Sequence, residues 1–370
     1  MSAGAFRGAH AAGNDWARIA KALADGLGTG DGLGFLYVTE ELGDDLGSVL
    51  TFLRETTGVA DWVGAVGFGV AAARAEYFGE PAAVALVAPF DAGDYRVIET
   101  IDEDRPGEAG AAVRAFGGGG GVPLAVVHGD ASNPAIPDIV AGLADESEAF
   151  LVGGLTALRP DAQIAGRVTG GGLSGVVLAP GLGMMTGLSQ GCAPIGPQHT
   201  ITDGRANVLV ELDRRPALDV FIEDIGPDLA RRLEHAGHVV QAALAVPGSD
   251  IGDYLVRNLT GIDPDRGLLA IGDTIDTGQA LTFCTRNRET AALDLERMAI
   301  DLVGRLGAAP RAGLYFSCVA RGPNLFGPGA REMALIADTL GDFPLAGFYA
   351  NGEIFNHRLY GYTGVLVLFP

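Results

Sequence analysis

Two apolar stretches near the end of the sequence are each followed by a charged side chain, and the two charges have opposite sign. Arg321 follows one stretch and Glu353 follows the other. A guanidinium and a carboxylate about one strand spacing apart can hold the two charged groups of a zwitterion through charge-assisted hydrogen bonds. We therefore predict that Arg321 and Glu353 bind a small polar ligand, the alternative being a structural ion pair that closes the loop. Three neighbouring side chains are assigned to the same site: Asn351, Cys318 and Asn324.

A thiol and an imidazole form a second candidate group. Cys192 lies in a turn that Pro194 helps to fix, and His199 follows Cys192 by seven residues. A thiol beside an imidazole can act as a nucleophile. However, cysteine is among the most commonly buried residues, and no Asp or Asn at a known spacing orients the imidazole. We predict that Cys192, Pro194 and His199 contribute to ligand binding without catalysis, and a thiol-dependent enzyme using Cys192 and His199 is an alternative.

The elements that position Arg321 and Glu353 are read from residues 313–370. The apolar pattern there predicts a strand, a helix and two further strands. A strand, a crossover helix and a second strand pair as a right-handed parallel unit, so the ends of both strands reach one edge of the sheet. A short turn at Asn356 then brings the last strand back antiparallel. Cys318 and Arg321 are thereby expected beside Glu353 at one rim.

The same order of elements occurs twice earlier in the sequence, from residue 33 to residue 90 and from residue 123 to residue 180. Each copy has a second strand that contains glycine and a third, apolar strand that ends on proline. Self-similarity of this kind indicates an internal repeat. The predicted fold is therefore α/β, with two related halves of mixed β-sheets and flanking helices built from repeated β-α-β-β units.

The composition limits the classes of function. The chain has 370 residues, of which 48% are hydrophobic and 19% are charged, as in a packed globular protein. A net charge of -21 disfavours nucleic acids and anionic lipids as partners. No apolar run approaches the roughly 20 residues of a membrane span, and the start of the sequence lacks the apolar core of a signal peptide. We expect an acidic, cytoplasmic protein whose three widely spaced cysteines are reduced.

Domain boundaries and the long helix complete the organisation. We predict an N-terminal helical extension in residues 1–30, a first domain in residues 31–205 and a second domain in residues 206–370, divided near Ala206. A helix from Glu289 to Leu306 is expected to bury an apolar stripe that includes Leu293 and Ile300. No pair of cysteines has the spacing of metal ligands, so no metal site is predicted.

Several motifs together resemble one known family. They are GCAPIGPQHTITDGRANVLVELDRRPALDVF from Gly191, SCVARGPNLFG from Ser317, PLAGFYANGEI from Pro344 and the closing YTGVL. These motifs closely resemble the FIST family of sensory domains, and the earlier VGAVGFG strand resembles the glycine-containing strand of the family's N-terminal half. The resemblance extends from about Gly34 to Pro370.

The resemblance implies a FIST N-terminal domain and a FIST C-terminal domain that bind a small ligand, with amino acids proposed as ligands, in a pocket between the halves. It also implies a non-catalytic role in signal transduction. Arg321 and Glu353 match the family's ARG and GEI positions. Because no output module remains once both halves are assigned, the signal is expected to pass to a separate partner, such as a kinase, a chemoreceptor or a cyclic-di-nucleotide enzyme.

Some members of the family are similar to haem-binding nitric oxide sensors, which gives a further alternative. The axial ligand would then come from His128 or His199. His128 ends the first strand of the second repeat, and we place it at the position that Cys318 occupies in the third. Apart from this alternative, no cofactor is expected.

Overall fold

The computed structural model describes residues 4–102, 106–116, 121–246 and 253–370. The chain divides into two compact units. The first, which we call the triplicated unit, joins Met1–Gln190 to Ala292–Pro370, and the second, the inserted unit, is Gly191–Ala291. The predicted boundary near Ala206 falls inside the inserted unit, in a turn between two of its strands.

The first copy of the repeat forms one mixed sheet with two helices on one face. Asp15 caps the first helix by accepting a hydrogen bond from the Ala17 N–H, and the apolar stripe of that helix is buried against the sheet. Strands β2 and β3 run parallel, and β6 lies antiparallel between β1 and β2. The elements are β1 (Arg7–Ala12), α1 (Trp16–Leu27), β2 (Leu33–Thr39), α2 (Leu46–Thr57), β3 (Asp61–Gly67), β4 (Gly69–Ala72), β5 (Ala75–Phe78) and β6 (Ala82–Ala88).

The second copy follows in the same order. Strands β8 and β9 run parallel, and β12 lies antiparallel between β7 and β8. Its elements are β7 (Tyr95–Ile101), α3 (Pro106–Phe116), β8 (Leu124–Gly129), α4 (Ile136–Ser147), β9 (Phe150–Leu155), β10 (Gln163–Ala165), β11 (Val168–Thr169) and β12 (Leu173–Leu178). The third copy opens with its edge strand, β13 (Met185–Ser189), after which the chain enters the inserted unit.

The inserted unit is a strongly curled antiparallel sheet packed around a helix. Its strand order is β14-β20-β17-β18-β19-β15-β16, and β15 also pairs with the far end of β14, so the sheet closes on itself. The kinked helix α5 fills the interior with Phe221 and its apolar neighbours. The elements are β14 (Cys192–Arg205), β15 (Val208–Leu212), β16 (Arg215–Pro216), α5 (Ala217–Ala230), α6 (Leu233–Val239), β17 (Val240–Ala245), β18 (Tyr254–Asp263), β19 (Leu268–Ile271) and β20 (Ala280–Arg286).

The third copy resumes with the long helix and completes the triplicated unit. Strands β21 and β22 run parallel, and β25 lies antiparallel between β13 and β21. Short 3-10 helices occur at Glu40–Asp45, Pro180–Leu182 and Gly322–Asn324. The remaining elements are α7 (Arg288–Leu306), β21 (Ala312–Cys318), α8 (Arg331–Leu340), β22 (Leu345–Ala350), β23 (Glu353–Phe355), β24 (Arg358–Tyr360) and β25 (Gly364–Phe369).

The copies exchange hairpins in a cycle. The hairpin β4–β5 of the first copy extends the sheet of the third, because β4 pairs with β22. The hairpin β10–β11 of the second copy extends the sheet of the first through β3, and the hairpin β23–β24 of the third extends the sheet of the second through β9. Every sheet of the triplicated unit therefore contains strands from two copies, which ties the copies together through backbone hydrogen bonds.

A glycine, which we call the marker glycine, occupies the equivalent position in β3, β9 and β22, the second strand of the parallel pair in each copy. A Cβ atom on Gly64, Gly153 or Gly347 would lie 1.7 to 1.8 Å from a backbone carbonyl oxygen of the first strand. No side chain fits there, because real Cβ atoms do not approach a carbonyl oxygen to within such a distance. The recurrence of these glycines in the sequence therefore has a steric cause, and it fixes which residues of the three copies correspond.

The inner faces of the three sheets meet around three corresponding side chains. In β2, Leu36 packs towards α1 and α2, whereas the next residue, Tyr37, points to the centre. The ring centroid of Tyr37 is 5.5 Å from that of His128 and 6.0 Å from that of Phe316. His128 therefore corresponds to Phe316, not to Cys318 as the sequence predicts, because the sequence alignment of the copies is shifted by two residues.

The predicted α/β fold with mixed sheets, flanking helices and repeated units is confirmed. Two details of the prediction are wrong. The turn at Asn356 does not bring the closing strand back, because it joins the exchanged strands β23 and β24. The closing strand β25 pairs with β21. Leu293 and Ile300 are 61% and 56% exposed, so they lie outside the buried stripe of α7. Within the described residues, no helix has both the length and the apolar character needed to cross a bilayer.

Candidate ligand-binding site

One face of the sheet in the inserted unit carries a pocket of about 320 Å³. Side chains alternate along a strand, so in β20 Thr282 and Cys284 line the pocket whereas Phe283 packs into the core around α5. The buried part of the lining consists of Cys192, Ala243, Val246, Asp253 and Cys284. The more open part consists of Pro194, Gln198, Ala245, Tyr254 and Thr282. The volume is at the lower end of the range for small-molecule sites, about 300 to 1,000 Å³.

The chemistry of this pocket is an apolar wall with a few polar groups. Among the described residues of the lining, Asp253 is the only charged side chain, and it is 8% exposed. The Tyr254 hydroxyl donates a hydrogen bond of 3.0 Å to the Cys192 carbonyl oxygen, which fixes the tyrosine ring at the rim. Gln198 and Thr282 add an amide and a hydroxyl group. Such a site favours a small ligand with a positive charge or hydrogen-bond donors for the carboxylate.

Two thiols lie together in the wall. Cys192 and Cys284 are hydrogen-bonded, and this hydrogen bond, followed by burial, raises the pKa of Cys284. Cys318 belongs to the triplicated unit, where burial and, less strongly, the charge of Glu353 raise the pKa of its thiol to about 12. The sequence predicts Cys192 and Pro194 as ligand-binding residues, and both line the pocket, but it does not predict Cys284.

His199 lies on the opposite face of β14 and is held by two carboxylates. Its Nδ1 is 2.6 Å from Asp213 Oδ2, and its Nε2 is 2.9 Å from Asp224 Oδ2. Burial opposes a charged imidazole, but the hydrogen bonds to Asp213 and Asp224 outweigh it, so the pKa of His199 is raised. Both ring nitrogens contact carboxylate oxygens, which favours the charged imidazole, and the ring links β14 to α5 through Asp224. The alternative of a thiol-dependent enzyme requires His199 beside Cys192, whereas the His199 ring is held by Asp213 and Asp224 and is not part of the pocket lining that contains Cys192.

Arg321 is completely buried and bonds to a residue that the sequence analysis passes over. Its Nε donates a 2.7 Å hydrogen bond to Glu332 Oε1, and the Gly322 N–H donates a 2.8 Å bond to Glu332 Oε2. Glu332 lies in the first turn of α8 and is also buried. The Tyr315 hydroxyl completes the group with a 2.7 Å bond to Glu332 Oε1. The ion pair of Arg321 is therefore formed with Glu332, not with Glu353.

Glu353 is also completely buried, on strand β23 of an exchanged hairpin. One of its oxygens accepts hydrogen bonds from the Thr363 N–H at 3.2 Å and the Thr363 hydroxyl at 2.7 Å. Burial raises the pKa of Glu353 to about 8, against the opposing effects of Thr363 and Arg321. The expected rim is therefore wrong, because the side chains of Arg321 and Glu353 have no exposed surface. Their assignment to a ligand stays a prediction, as does that of Asn351, Cys318 and Asn324.

The residues proposed for haem do not fit an axial ligand. His128 is completely buried, its Nε2 is 3.3 Å from the Tyr37 hydroxyl, and the rings of Phe316 and Phe348 pack around it. A haem plane at His128 would have to replace this aromatic centre. His199 already uses both ring nitrogens. Within the described residues, no group of three or more His, Cys, Asp or Glu side chains is arranged to hold a metal ion.

A second recess, of about 410 Å³, lies where β1 meets α1. Two of its polar side chains, Asp15 and Arg18, are already used by the helix, because Asp15 accepts the capping hydrogen bond from Ala17 and lies 3.6 Å from Arg18. The pocket of the inserted unit differs in having a buried wall. For this reason we take it as the candidate site.

The fold and the site together define an α/β protein with a triplicated core and an inserted unit that bears a pocket of small-molecule size. The model of the FIST N domain matches residues 32–215, and the model of the FIST C domain matches residues 217–356. The chain belongs to the FIST family, whose domains are sensory domains of signal transduction. The resemblance seen in the sequence motifs is confirmed.

Mycobacterial proteins are similar to this chain. The uncharacterized protein Rv0628c of Mycobacterium tuberculosis (strain ATCC 25618 / H37Rv) is 39% identical over 209 residues, which cover 54% of this chain and 54% of the relative. The uncharacterized protein Mb0898c of Mycobacterium bovis is 36% identical over 212 residues, which cover 54% of this chain and 53% of the relative. The chain thus spans about half the length of the curated relatives it matches.

Proposed function

We propose that this protein is a non-catalytic sensor of the FIST type whose small polar ligand binds in the pocket of the inserted unit. The observation that carries the proposal is the pocket itself, of about 320 Å³ and lined by Cys192 and Pro194, two residues that the sequence predicts for ligand binding. Membership of a family of sensory domains supports the same function.

The lining favours a ligand with an ammonium group, such as an amino acid or a small amine. Asp253 is the only charged side chain among the described residues of the lining, and an ammonium group can pair with its carboxylate through charge-assisted hydrogen bonds. The carboxylate of an amino acid would be directed to the polar groups at the open side, Gln198 and Thr282. The apolar wall would take the ligand's side chain.

We further propose that the ligand acts by shifting the populations of existing conformations, and that a separate signalling protein reads the result. A kinase, a chemoreceptor or a cyclic-di-nucleotide enzyme would serve as this partner. The protein would work in the cytoplasm, in keeping with its cysteines, which are all in the thiol form.

Calorimetric titration with a panel of amino acids and small amines tests the proposal. Ala245→Leu adds side-chain volume at the open side of the pocket, and we expect it to weaken binding of any hit about 5-fold to 150-fold, since overfilling a site costs about 1 to 3 kcal/mol. Ala270→Leu is the matched control, because Ala270 is a partly exposed alanine on β19 outside the pocket.

Asp253→Asn removes the charge with little change of shape. We expect it to weaken a cationic ligand and to leave a neutral ligand nearly unaffected. Equal affinity in the wild type and Ala245→Leu would place the ligand elsewhere and contradict the proposal. Native mass spectrometry of gently purified protein would add the mass of any ligand that co-purifies.

A further inference from the structure

The two thiols in the pocket wall have a geometry that a single buried cysteine lacks. Cys192 and Cys284 lie on neighbouring antiparallel strands, where Cys284 is directly opposite Pro194 and Cys192 is two residues away. The side chains are hydrogen-bonded to each other, and both line the pocket. They are 3% and 1% exposed, and the pocket that both line gives a small reagent a path to them.

A hydrogen-bonded pair of thiols divides the chemical roles between its members. The thiol whose proton is held by an acceptor is the weaker nucleophile of such a pair, so the other sulfur attacks and the protonated thiol reacts second. The Cys284 thiol donates a 3.6 Å hydrogen bond to the Gln241 carbonyl oxygen, and its hydrogen bond to Cys192 raises its pKa, so Cys284 keeps its proton. Cys192 is therefore the attacking sulfur, and Cys284 is placed to react with whatever forms on it.

We propose that Cys192 and Cys284 are an oxidation site, at which a small hydroperoxide entering the pocket converts the two thiols into a disulfide. Cys192 first loses its thiol proton to the solvent, and its thiolate then attacks the terminal peroxide oxygen. The O–O bond breaks, Cys192 becomes a sulfenic acid, and the leaving alkoxide or hydroxide takes up a proton from the solvent to give an alcohol or water. The sulfur of Cys284 then displaces hydroxide from this sulfenic acid, and the thiol proton leaves with the hydroxide as water. The sum is two thiols and one hydroperoxide giving a disulfide, one alcohol or water, and one water.

Closing the bond changes the shape of the pocket. Diagonal neighbours across an antiparallel pair have Cβ atoms roughly 7 Å apart or somewhat less, whereas a disulfide needs about 4 Å. The two strands must therefore move together at this point. The pairing of β14 with β20 is already irregular between Pro194 and Gln198, next to Cys192, so this part of the strand can yield. Oxidation would narrow the pocket and report on peroxide in the same place where a ligand binds.

Peptide mapping of the full-length protein tests the proposal. The reduced, folded protein is treated with equimolar hydrogen peroxide, the remaining thiols are blocked with N-ethylmaleimide, and the protein is digested with trypsin. Cleavage after arginine places the three cysteines on separate peptides: 168–205, 267–286 and 312–321. We expect the first two peptides to be joined and about 2 Da lighter than their reduced sum. The third, which carries Cys318, should keep its maleimide label.

Single variants assign the roles. In Cys284→Ser, the sulfenic acid on Cys192 should persist and be trapped by dimedone, whereas in Cys192→Ser the remaining Cys284 should not react. Cys318→Ser should leave the cross-link unchanged. The proposal is overturned if the folded wild-type protein gives no cross-linked peptide, if the cross-link forms only after unfolding, or if Cys318 is oxidised as fast as the pair. None of these outcomes depends on finding a ligand, so the proposed sensor function is tested separately.

Discussion

Replacing Glu353 by glutamine should remove a large pH dependence of stability. Glu353 on β23 is paired opposite Gly154, the residue after Gly153 on β9. Gln163 on β10, in the second copy of the repeat, is paired opposite Ala65, the residue after Gly64 on β3. Corresponding positions thus hold a buried acid in one copy and a neutral amide in another. Gln163 accepts from the Ser174 hydroxyl and donates to the Gly172 carbonyl oxygen. Glutamine at position 353 can likewise accept the hydrogen bonds from Thr363.

The magnitude follows from the raised pKa of Glu353. The pKa is about 8 in the folded protein, against an ordinary value of 4.5, because burial disfavours the carboxylate. A raised pKa means that the folded state holds the proton more tightly, so the stabilisation is complete below about pH 4.5 and is lost as pH rises to about 8. At about 1.4 kcal/mol per pH unit, the wild type should lose roughly 4 kcal/mol between about pH 5 and pH 8 through this group.

Urea unfolding followed by tryptophan fluorescence measures this loss, since Trp62 is completely buried in the triplicated unit. We expect the free energy of unfolding of Glu353→Gln, relative to the wild type, to rise by about 4 kcal/mol from about pH 5 to pH 8. Glu76, whose pKa burial raises to about 7, titrates in both proteins and cancels in the comparison.

The reverse exchange is the control. Gln163→Glu places an acid where an amide donates to a carbonyl oxygen. The free energy of unfolding of this variant should therefore fall as pH rises, an effect that the wild type lacks at this site. If the difference between Glu353→Gln and the wild type stays constant across the pH range, Glu353 is ionised in the folded protein. The correspondence with Gln163 would then have no energetic meaning.

Three further substitutions have definite expected outcomes. His128→Phe introduces the side chain that the third copy has at Phe316. Burial lowers the pKa of His128 to about 3, so the wild type loses stability as pH falls from about 6.5. The variant lacks this loss and should unfold at a lower pH than the wild type in an acid titration. Arg321→Ala leaves the buried Glu332 without its cation and should lower the free energy of unfolding by about 3 to 5 kcal/mol in urea, instead of acting on ligand affinity alone. His199 has a raised pKa, so its stabilisation is complete below about pH 6.5 and is lost at higher pH; His199→Gln should lessen the drop in urea midpoint between about pH 6 and pH 9.

The repeat is readable in the sequence because its cause is local. Gly64, Gly153 and Gly347 recur since a Cβ atom at any of them would overlap a neighbouring backbone. The exchange of hairpins cannot be predicted in the same way, because a three-residue strand such as Glu353–Phe355 has no sequence pattern that identifies the remote sheet it pairs with. For this reason the sequence predicts Glu353 as the partner of Arg321, whereas in the structure the partner is Glu332 on α8.

The candidate site shows the same division between local and remote information. Cys192 and Pro194 stand out in the sequence because they belong to one short stretch with unusual composition, which the sequence predicts as a turn and which forms the start of β14. Cys284 on β20 and Asp253, directly before β18, share no spacing with that stretch. The carboxylates that hold His199 come from the turn between β15 and β16 and from helix α5, and the fold of the curled sheet brings them to the ring. Pairing across strands, not sequence spacing, selects these residues.

The position of the inserted unit separates the candidate site from the triplicated core. In the first copy, residues 13–15 suffice to join the edge strand β1 to α1, whereas in the third copy the chain leaves after β13 and forms nearly all of the inserted unit before α7 begins at Arg288. A connection between two elements tolerates such an insertion when the backbone hydrogen bonds of the core are already satisfied without it. All described residues of the pocket belong to the insertion, and the marker glycines and the aromatic centre belong to the core. Substitutions at the pocket should therefore change ligand binding or thiol oxidation and leave the pH-dependent stability set by Glu353 and His128 unaltered.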